Sequence, residues 1–186
     1  MIFGLKYKKS FRILFISILF FPFLSSGQVI NNSSGSSLDS TFVNYFENGK
    51  PNRIQLFYKG LLNGPSWEFH PSGQLMFYNQ WAKGRKDGIQ IIYNQAGKKI
   101  KSSNWLNGRL DGEELVFYRT GIIQSRTEWV LNLKHGKSIW YHDNSIPAAI
   151  YPYSKGEIHG DVIFFDVNGS EESRKKYLNN EPIKIK

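Results

Sequence analysis

The sequence predicts an all-β protein, an elongated antiparallel sheet of six tandem β-hairpin units, each 24 residues long. Three observations carry this. Glycines stand 24 residues apart at Gly49, Gly73, Gly97, Gly121 and Gly169, with Ser145 in the one missing slot. Two aromatic columns keep the same beat: Tyr45, Phe69, Tyr93, Phe117, Tyr141, Phe165, and Phe57, Trp81, Trp105, Trp129, Tyr153, Tyr177. Within each unit apolar residues alternate with period two, as in Trp67/Phe69, Ile91/Tyr93 and Leu115/Phe117, which marks strands with one buried face. A fixed period of this length signals a repeat array, in which no unit buries its apolar face alone.

The first 27 residues stand apart. Lys6, Lys8, Lys9 and Arg12 precede an apolar run from Ile13 to Leu24, and Ser25, Ser26 and Gly27 supply small residues before Gln28. That is the layout of an export signal, and the run is shorter than the roughly 18–20 apolar residues that span a bilayer. Cleavage after Gly27 is expected, giving a periplasmic or secreted chain; an uncleaved N-terminal anchor is the alternative. Removing the segment takes four cations with it and leaves 20 basic against 15 acidic residues. Residues 28–44 begin with a Ser/Asn-rich stretch, QVINNSSGSSLDS, expected to be a linker running into the start of the body.

From residue 45 to 186 the six units start at residues 45, 69, 93, 117, 141 and 165, the last one truncated. Four residues after each Tyr45-type aromatic comes a turn glycine, often in a pair such as Asn48-Gly49 or Asn168-Gly169. A second strand leads to the Phe57-type aromatic, and a loop such as Lys59 to Gly64 closes the unit. Gly60, Gly84, Gly108 and Gly156 form a further column, with Asn132 and Asn180 where positive φ is next best tolerated. Both aromatic columns are expected to form ladders on one buried face. Equivalent residues would lie roughly 10 Å apart, two strand spacings.

The segments Tyr45-Phe46-Glu47-Asn48-Gly49-Lys50, Trp105-Leu106-Asn107-Gly108-Arg109-Leu110-Asp111-Gly112 and Leu133-Lys134-His135-Gly136-Lys137 resemble the MORN-repeat variant. Many bacterial proteins of that kind are labelled YwqK-family antitoxins. The resemblance covers residues 45 to about 181 and implies an extended hairpin sheet acting as an interaction or membrane-associated scaffold. The antitoxin label implies toxin binding rather than catalysis. Ser145 and Asn132 depart from the glycine pattern, and the export signal points away from a cytoplasmic toxin.

Composition removes several function classes. The chain has no cysteine, so disulfides, thiolate metal sites, a cysteine nucleophile and a lipidated N-terminal cysteine are excluded. Its 40% hydrophobic content suits a folded body, neither multispan nor disordered. His135 and His159 share the column of Asn63, Asp87 and Asp111, while His70 and His142 share that of Asn94, Tyr118 and Asp166, which reads as turn chemistry. Adjacent acids Glu113-Glu114 and Glu171-Glu172 would diverge to opposite faces. No catalytic residues, cofactor or metal are therefore expected. The basic clusters Lys83/Arg85/Lys86, Lys98/Lys99/Lys101 and Arg174/Lys175/Lys176 read as solvated turns or as attraction to an anionic membrane surface or glycan; nucleic acid is not expected.

One column breaks the amphipathic alternation. Glu68, Ile92, Val116, Trp140 and Phe164 turn apolar toward the C-terminal half, on what the pattern places as the face opposite the core, joined by Leu106, Val130 and Leu178. Either the sheet curls so that both faces are partly covered, or Ile92, Val116, Trp140 and Phe164 form a face for a protein partner. The export reading is checked by N-terminal sequencing of protein recovered outside the cytoplasm, which should begin at Gln28; retention of Met1 to Gly27 overturns it.

Overall fold

The computed structural model describes residues 28–31 and 39–183, so the expected export signal lies outside the described residues. The described chain contains only strands: β1 (Gln28–Asn31), β2 (Asp39–Tyr45), β3 (Pro51–Tyr58), β4 (Leu61–Phe69), β5 (Leu75–Ala82), β6 (Arg85–Tyr93), β7 (Lys99–Leu106) and β8 (Arg109–Phe117). These are followed by β9 (Ile123–Val130), β10 (Leu133–Lys134), β11 (Gly136–Tyr141), β12 (Pro147–Ser154), β13 (Glu157–Ile158), β14 (Gly160–Phe165), β15 (Glu171–Leu178) and β16 (Glu181–Pro182). They form one open antiparallel sheet whose order follows the chain, with β10 and β13 the short first segments of interrupted strands. The expected all-β hairpin array is what the chain forms. Part of the expected linker differs: Gln28–Asn31 pairs with β2, and the body starts at Asp39.

Two kinds of turn alternate along opposite edges. At one edge the chain reverses over five residues, as where the His70 N–H donates to Gln74 O (2.8 Å) and the Gly73 N–H to His70 O (2.7 Å). All five column glycines of this turn have positive φ, and Ser145 follows them at 69°. At the other edge the expected six-residue loop is corrected to two residues. Lys59 (49°) and Gly60 (77°) both have positive φ, the signature of a type I′ turn, and β4 begins at Leu61. The five other tight turns repeat this, including Leu131-Asn132 (50°, 71°) and Asn179-Asn180 (49°, 69°).

Both edges are tied from unit to unit. From the second tight turn onward, the second turn residue donates its N–H to the preceding hairpin, as Gly84 to Leu62 O, Gly108 to Lys86 O and Asn132 to Leu110 O, at 2.7–2.9 Å. Asn132 also accepts from the Leu110 N–H through Oδ1 (2.6 Å), so asparagine in a glycine slot gains a bond that glycine lacks. At the five-residue edge, Asn48 Nδ2 donates to Pro71 O, Tyr118 Oη to Tyr141 O and Asn144 Nδ2 to Val167 O.

The remaining glycine column, Gly64 to Gly160, sits in strand bulges rather than loops. Between Asn79/Gln90 and Trp81/Lys86 the β6 strand carries two extra residues, and Gly88 takes φ 105° there. A Cβ on Gly88 would run into the Gln80 side chain, whose Oε1 accepts the Ile89 N–H at 2.8 Å. Across the ladder Gly88 pairs with Trp105, as Gly64 pairs with Trp81 and Gly112 with Trp129.

The expected single-faced placement of both aromatic columns is overturned. Trp81 Nε1 donates to Ser66 Oγ (2.8 Å), which puts the tryptophan column on the Ser66 face, whereas Phe69 lies three residues from Ser66 in β4 and points the other way. The sheet is thus apolar on both sides: one face carries Trp81, Trp105 and Trp129, the other Trp67, Ile91 and the Phe69 column. Most fully buried residues lie on the tryptophan face and are small or polar: Ser66, Asn79, Ser103, Ser125, Thr127, Ser138, Ala149 and Val162.

A Cβ added to Gly97 would meet no atom within 4 Å, so its substitution tests backbone strain alone. Gly97→Val should cost about 1–2 kcal/mol or more, while Ser145→Gly should be neutral or stabilising by up to about 1 kcal/mol. Denaturant midpoints check both. A benign Gly97→Val or a strongly destabilising Ser145→Gly overturns the turn assignment.

Candidate functional site

The tryptophan face has three parallel lanes. In the first, aromatic rings alternate with the second residue of the strand after each tight turn: Lys86 stands over Trp105, with its Nζ 4.5 Å from the ring centroid. Lys134 reaches both Trp129 (5.8 Å) and Tyr153 (4.9 Å). Burial beside these rings pushes the Lys86 ammonium below its ordinary pKa, opposed in part by the Glu68 carboxylate. A shallow groove of about 430 Å³ opens at the turn edge between Trp129, Lys134, Tyr153 and Ile158.

The second lane is polar and buried. Gln90 Nε2 donates to Asn79 Oδ1 (2.7 Å), Ser103 Oγ to a Glu114 oxygen (3.1 Å), and the Thr127 and Ser138 hydroxyls share a 2.5 Å bond. Where Ser66 accepts from Trp81, the next units place Gln90 and Glu114, which are engaged within this lane. The buried Nε1 groups of Trp105 and Trp129 are left without an acceptor. A serine at one position in 24 carried no sequence signal for burial, so this lane went unanticipated.

The third lane contains the expected partner residues, and their placement corrects the sequence reading. Ile92, Val116, Trp140 and Phe164 share the face of the tryptophan column, because they lie two residues from the Gln90, Glu114, Ser138 and Val162 positions of the polar lane. Leu106, Val130 and Leu178 lie on the other face, beside the tight turns, since each directly follows a tryptophan-column aromatic. The stripe is therefore two separate surfaces.

Within the third lane, side-chain size trades across the ladder. Ile92 pairs with Phe77 and Lys101, and Val116 with Lys101 and Ser125; all five stand half-buried or more. Trp140 instead pairs with Ser125 and Ala149, and Phe164 with Ala149 and Ser173. Ser125 and Ala149 are buried while Trp140 stays 47% and Phe164 37% exposed. Tyr151 meets Phe164 edge to face at 5.9 Å. The C-terminal half thus carries an aromatic patch that no layer of the described residues covers.

The turn edge of the opposite face holds a second apolar row, with Tyr58, Leu61, Leu106, Val130, Leu131 and Leu133 each at least 40% exposed. Leu131 is notable for holding φ 50°, a backbone region costly for a bulky residue. Sequence periodicity flags Leu106 and Val130 but not Leu61, Leu131 or Leu133, which fall in the expected loops.

Ionisable groups serve the turns. Asp87 Oδ2 accepts the Asn107 N–H (3.1 Å) and Asp111 Oδ2 the Leu131 N–H (3.2 Å), each capping the next unit's tight turn. The Ser170 N–H, followed by that of Asn168, holds the Asp166 carboxyl below its ordinary pKa. Glu113 pairs with Arg126 on one face and Glu114 with Lys101 on the other. His142 Nε2 lies 3.0 Å from Phe165 O, His159 Nδ1 lies 3.1 Å from Asn179 Oδ1, and His70 Nε2 is buried without a partner. Among the described residues no three His, Asp or Glu side chains converge as metal ligands, and no helix is long and apolar enough to cross a membrane.

The basic clusters disperse. Lys86 lies on Trp105, Lys98 Nζ donates to Arg119 O (3.2 Å), Lys101 pairs with Glu114, and Arg174 bridges Glu171 and Asp161.

Compared with known proteins, the chain matches no family model and no curated protein.

The two kinds of tryptophan separate in stability. Trp105→Ala, which empties the ladder opposite Gly88, should cost about 3–5 kcal/mol. Trp140→Ala, already half exposed, should cost less than about 1.5 kcal/mol. Urea unfolding measures both, and equal losses would make Trp140 part of the core.

Proposed function

We propose that the chain is an exported, non-enzymatic repeat protein that binds another protein through its extended sheet, with Trp140 and Phe164 at the centre of the contact. The supporting observation is the exposure of these two rings above the small residues Ser125 and Ala149. Columns that repeat in every unit serve the array, so a partner is distinguished by what varies between units. Large aromatics at an interface centre carry much of its energy. This reading agrees with the resemblance to MORN-variant repeats, and a toxin-like protein is one partner class that resemblance suggests.

A membrane-surface or glycan scaffold is the second reading, favoured by the exposed lysines at positions 59, 83 and 155 in the tight turns. Salt separates the two. Capture of a partner by the mature chain should persist above physiological ionic strength and fall by roughly 30-fold with Trp140→Ala, about 2 kcal/mol. Binding that salt abolishes, that anionic vesicles or envelope glycan reproduce, and that Trp140→Ala leaves intact overturns the protein-partner reading.

A further inference from the structure

The tight-turn edge carries an order that no single hairpin explains. The residue after each two-residue turn runs Leu61, Arg85, Arg109, Leu133, Glu157, Glu181 from the first hairpin to the sixth. From the second hairpin onward the column reads basic, basic, apolar, acidic, acidic. It reverses sign about Leu133. Each of these residues is exposed, and Arg85, Arg109, Glu157 and Glu181 form no ion pair within the chain among the described residues. Arg109 and Glu157 sit two hairpins apart, roughly 20 Å at two strand spacings per hairpin, too far to meet in one molecule.

Two neighbouring columns are ordered about the same centre. Paired directly with the first are Ala82, Leu106, Val130, Ser154 and Leu178. Counted outward from Val130, small faces large in both directions: Leu106 against Ser154, Ala82 against Leu178. The first turn residues run Lys83, Asn107, Leu131, Lys155, Asn179, so that Asn107 matches Lys155 and Lys83 matches Asn179. At the centre stand Val130, Leu131 and Leu133, each 46–50% exposed.

We propose that this edge is a self-complementary interface, on which a second copy of the chain docks antiparallel about a two-fold axis through the fourth hairpin. A two-fold interface requires that residue i meet residue j and that j meet i. Reversing the ridge on itself meets that requirement in all three columns. Val130, Leu131 and Leu133 of the two copies bury one another, Arg109 of each faces Glu157 of the other, and Arg85 faces Glu181. The right-handed twist of both sheets concentrates the contact on the third to fifth hairpins and leaves the Arg85–Glu181 pairs at the rim. The first hairpin projects beyond the partner's sixth. This surface lies across the sheet from Trp140 and Phe164, so the dimer and the proposed partner patch stand or fall separately.

The test is sedimentation equilibrium of the mature chain, with circular dichroism melts to confirm folding. The parent protein should dimerise. Arg109→Glu and Glu157→Arg should each weaken dimerisation by about tenfold or more, because each sets like charges opposite one another twice per dimer. An equimolar mixture of the two variants should regain the dimer, since both contacts are then between opposite charges; a role within one chain cannot produce that rescue. Leu131→Lys, which copies the residue found at positions 59, 83 and 155, should give a folded monomer. A monomeric parent, single variants that dimerise as the parent does, or folded single variants whose mixture stays monomeric each overturn the proposal. So does a monomeric parent that binds phosphatidylglycerol vesicles through Leu131, which would assign the ridge to a lipid surface.

Discussion

The array depends on one contact, an aromatic ring facing a bulge glycine across the ladder. Trp81 opposite Gly64, Trp105 opposite Gly88 and Trp129 opposite Gly112 repeat it, and Tyr153 opposite Gly136 and Tyr177 opposite Gly160 extend it. The glycine serves twice. Its positive φ admits the extra strand residues that bend the sheet, and its lack of a Cβ spares the neighbouring side chain on the other face. The ring belongs to one hairpin and the glycine to the preceding one, so every contact crosses a unit boundary. Two-stranded hairpins are marginal alone, and here the cover that each needs comes from the next.

Hydrogen bonds at the two edges hold that contact in register. Tight-turn N–H groups reach the preceding hairpin's carbonyls at one edge, and side chains of the five-residue turns reach the next unit's backbone at the other. A slip of one residue would exchange the two faces and break both sets at once. The columns outside that contact are under no such constraint. Their variation from unit to unit, in the Glu68-to-Phe164 and Leu61-to-Glu181 columns, is where the hairpins acquire individual character.

The sequence made the period, the strand count per unit and the position of the turn glycines legible, because glycine and aromatic spacing never slips. Face assignment was not legible. It depends on parity across a bulge, and the bulge glycines resemble turn glycines in sequence, so the two aromatic columns were placed together although Ser66 and Phe69 point apart. The two-residue turns were hidden for a related reason: Lys59, Lys83 and Lys155 hold positive φ at a site where asparagine or glycine is the usual signal. Ser103 and Ser138 look like surface residues in a string of letters, and only the pairing that sets them beside Glu114 and Thr127 makes them interior. Whether Trp140 is covered was left open by the sequence, since Ser125 and Ala149 become its neighbours only through register.

The outer strand of the sixth hairpin is an exposed edge. In β15 the backbone from Glu171 to Lys175 has no ladder partner on its outer side among the described residues, the position that another hairpin would occupy. That strand reads Glu171-Glu172-Ser173-Arg174-Lys175-Lys176, all six exposed. Lys175 stands where Asn79, Ser103 and Thr127 form the buried polar lane, so a further hairpin would bury an ammonium with no acid placed to meet it. Charged edge strands of this kind oppose uncontrolled growth.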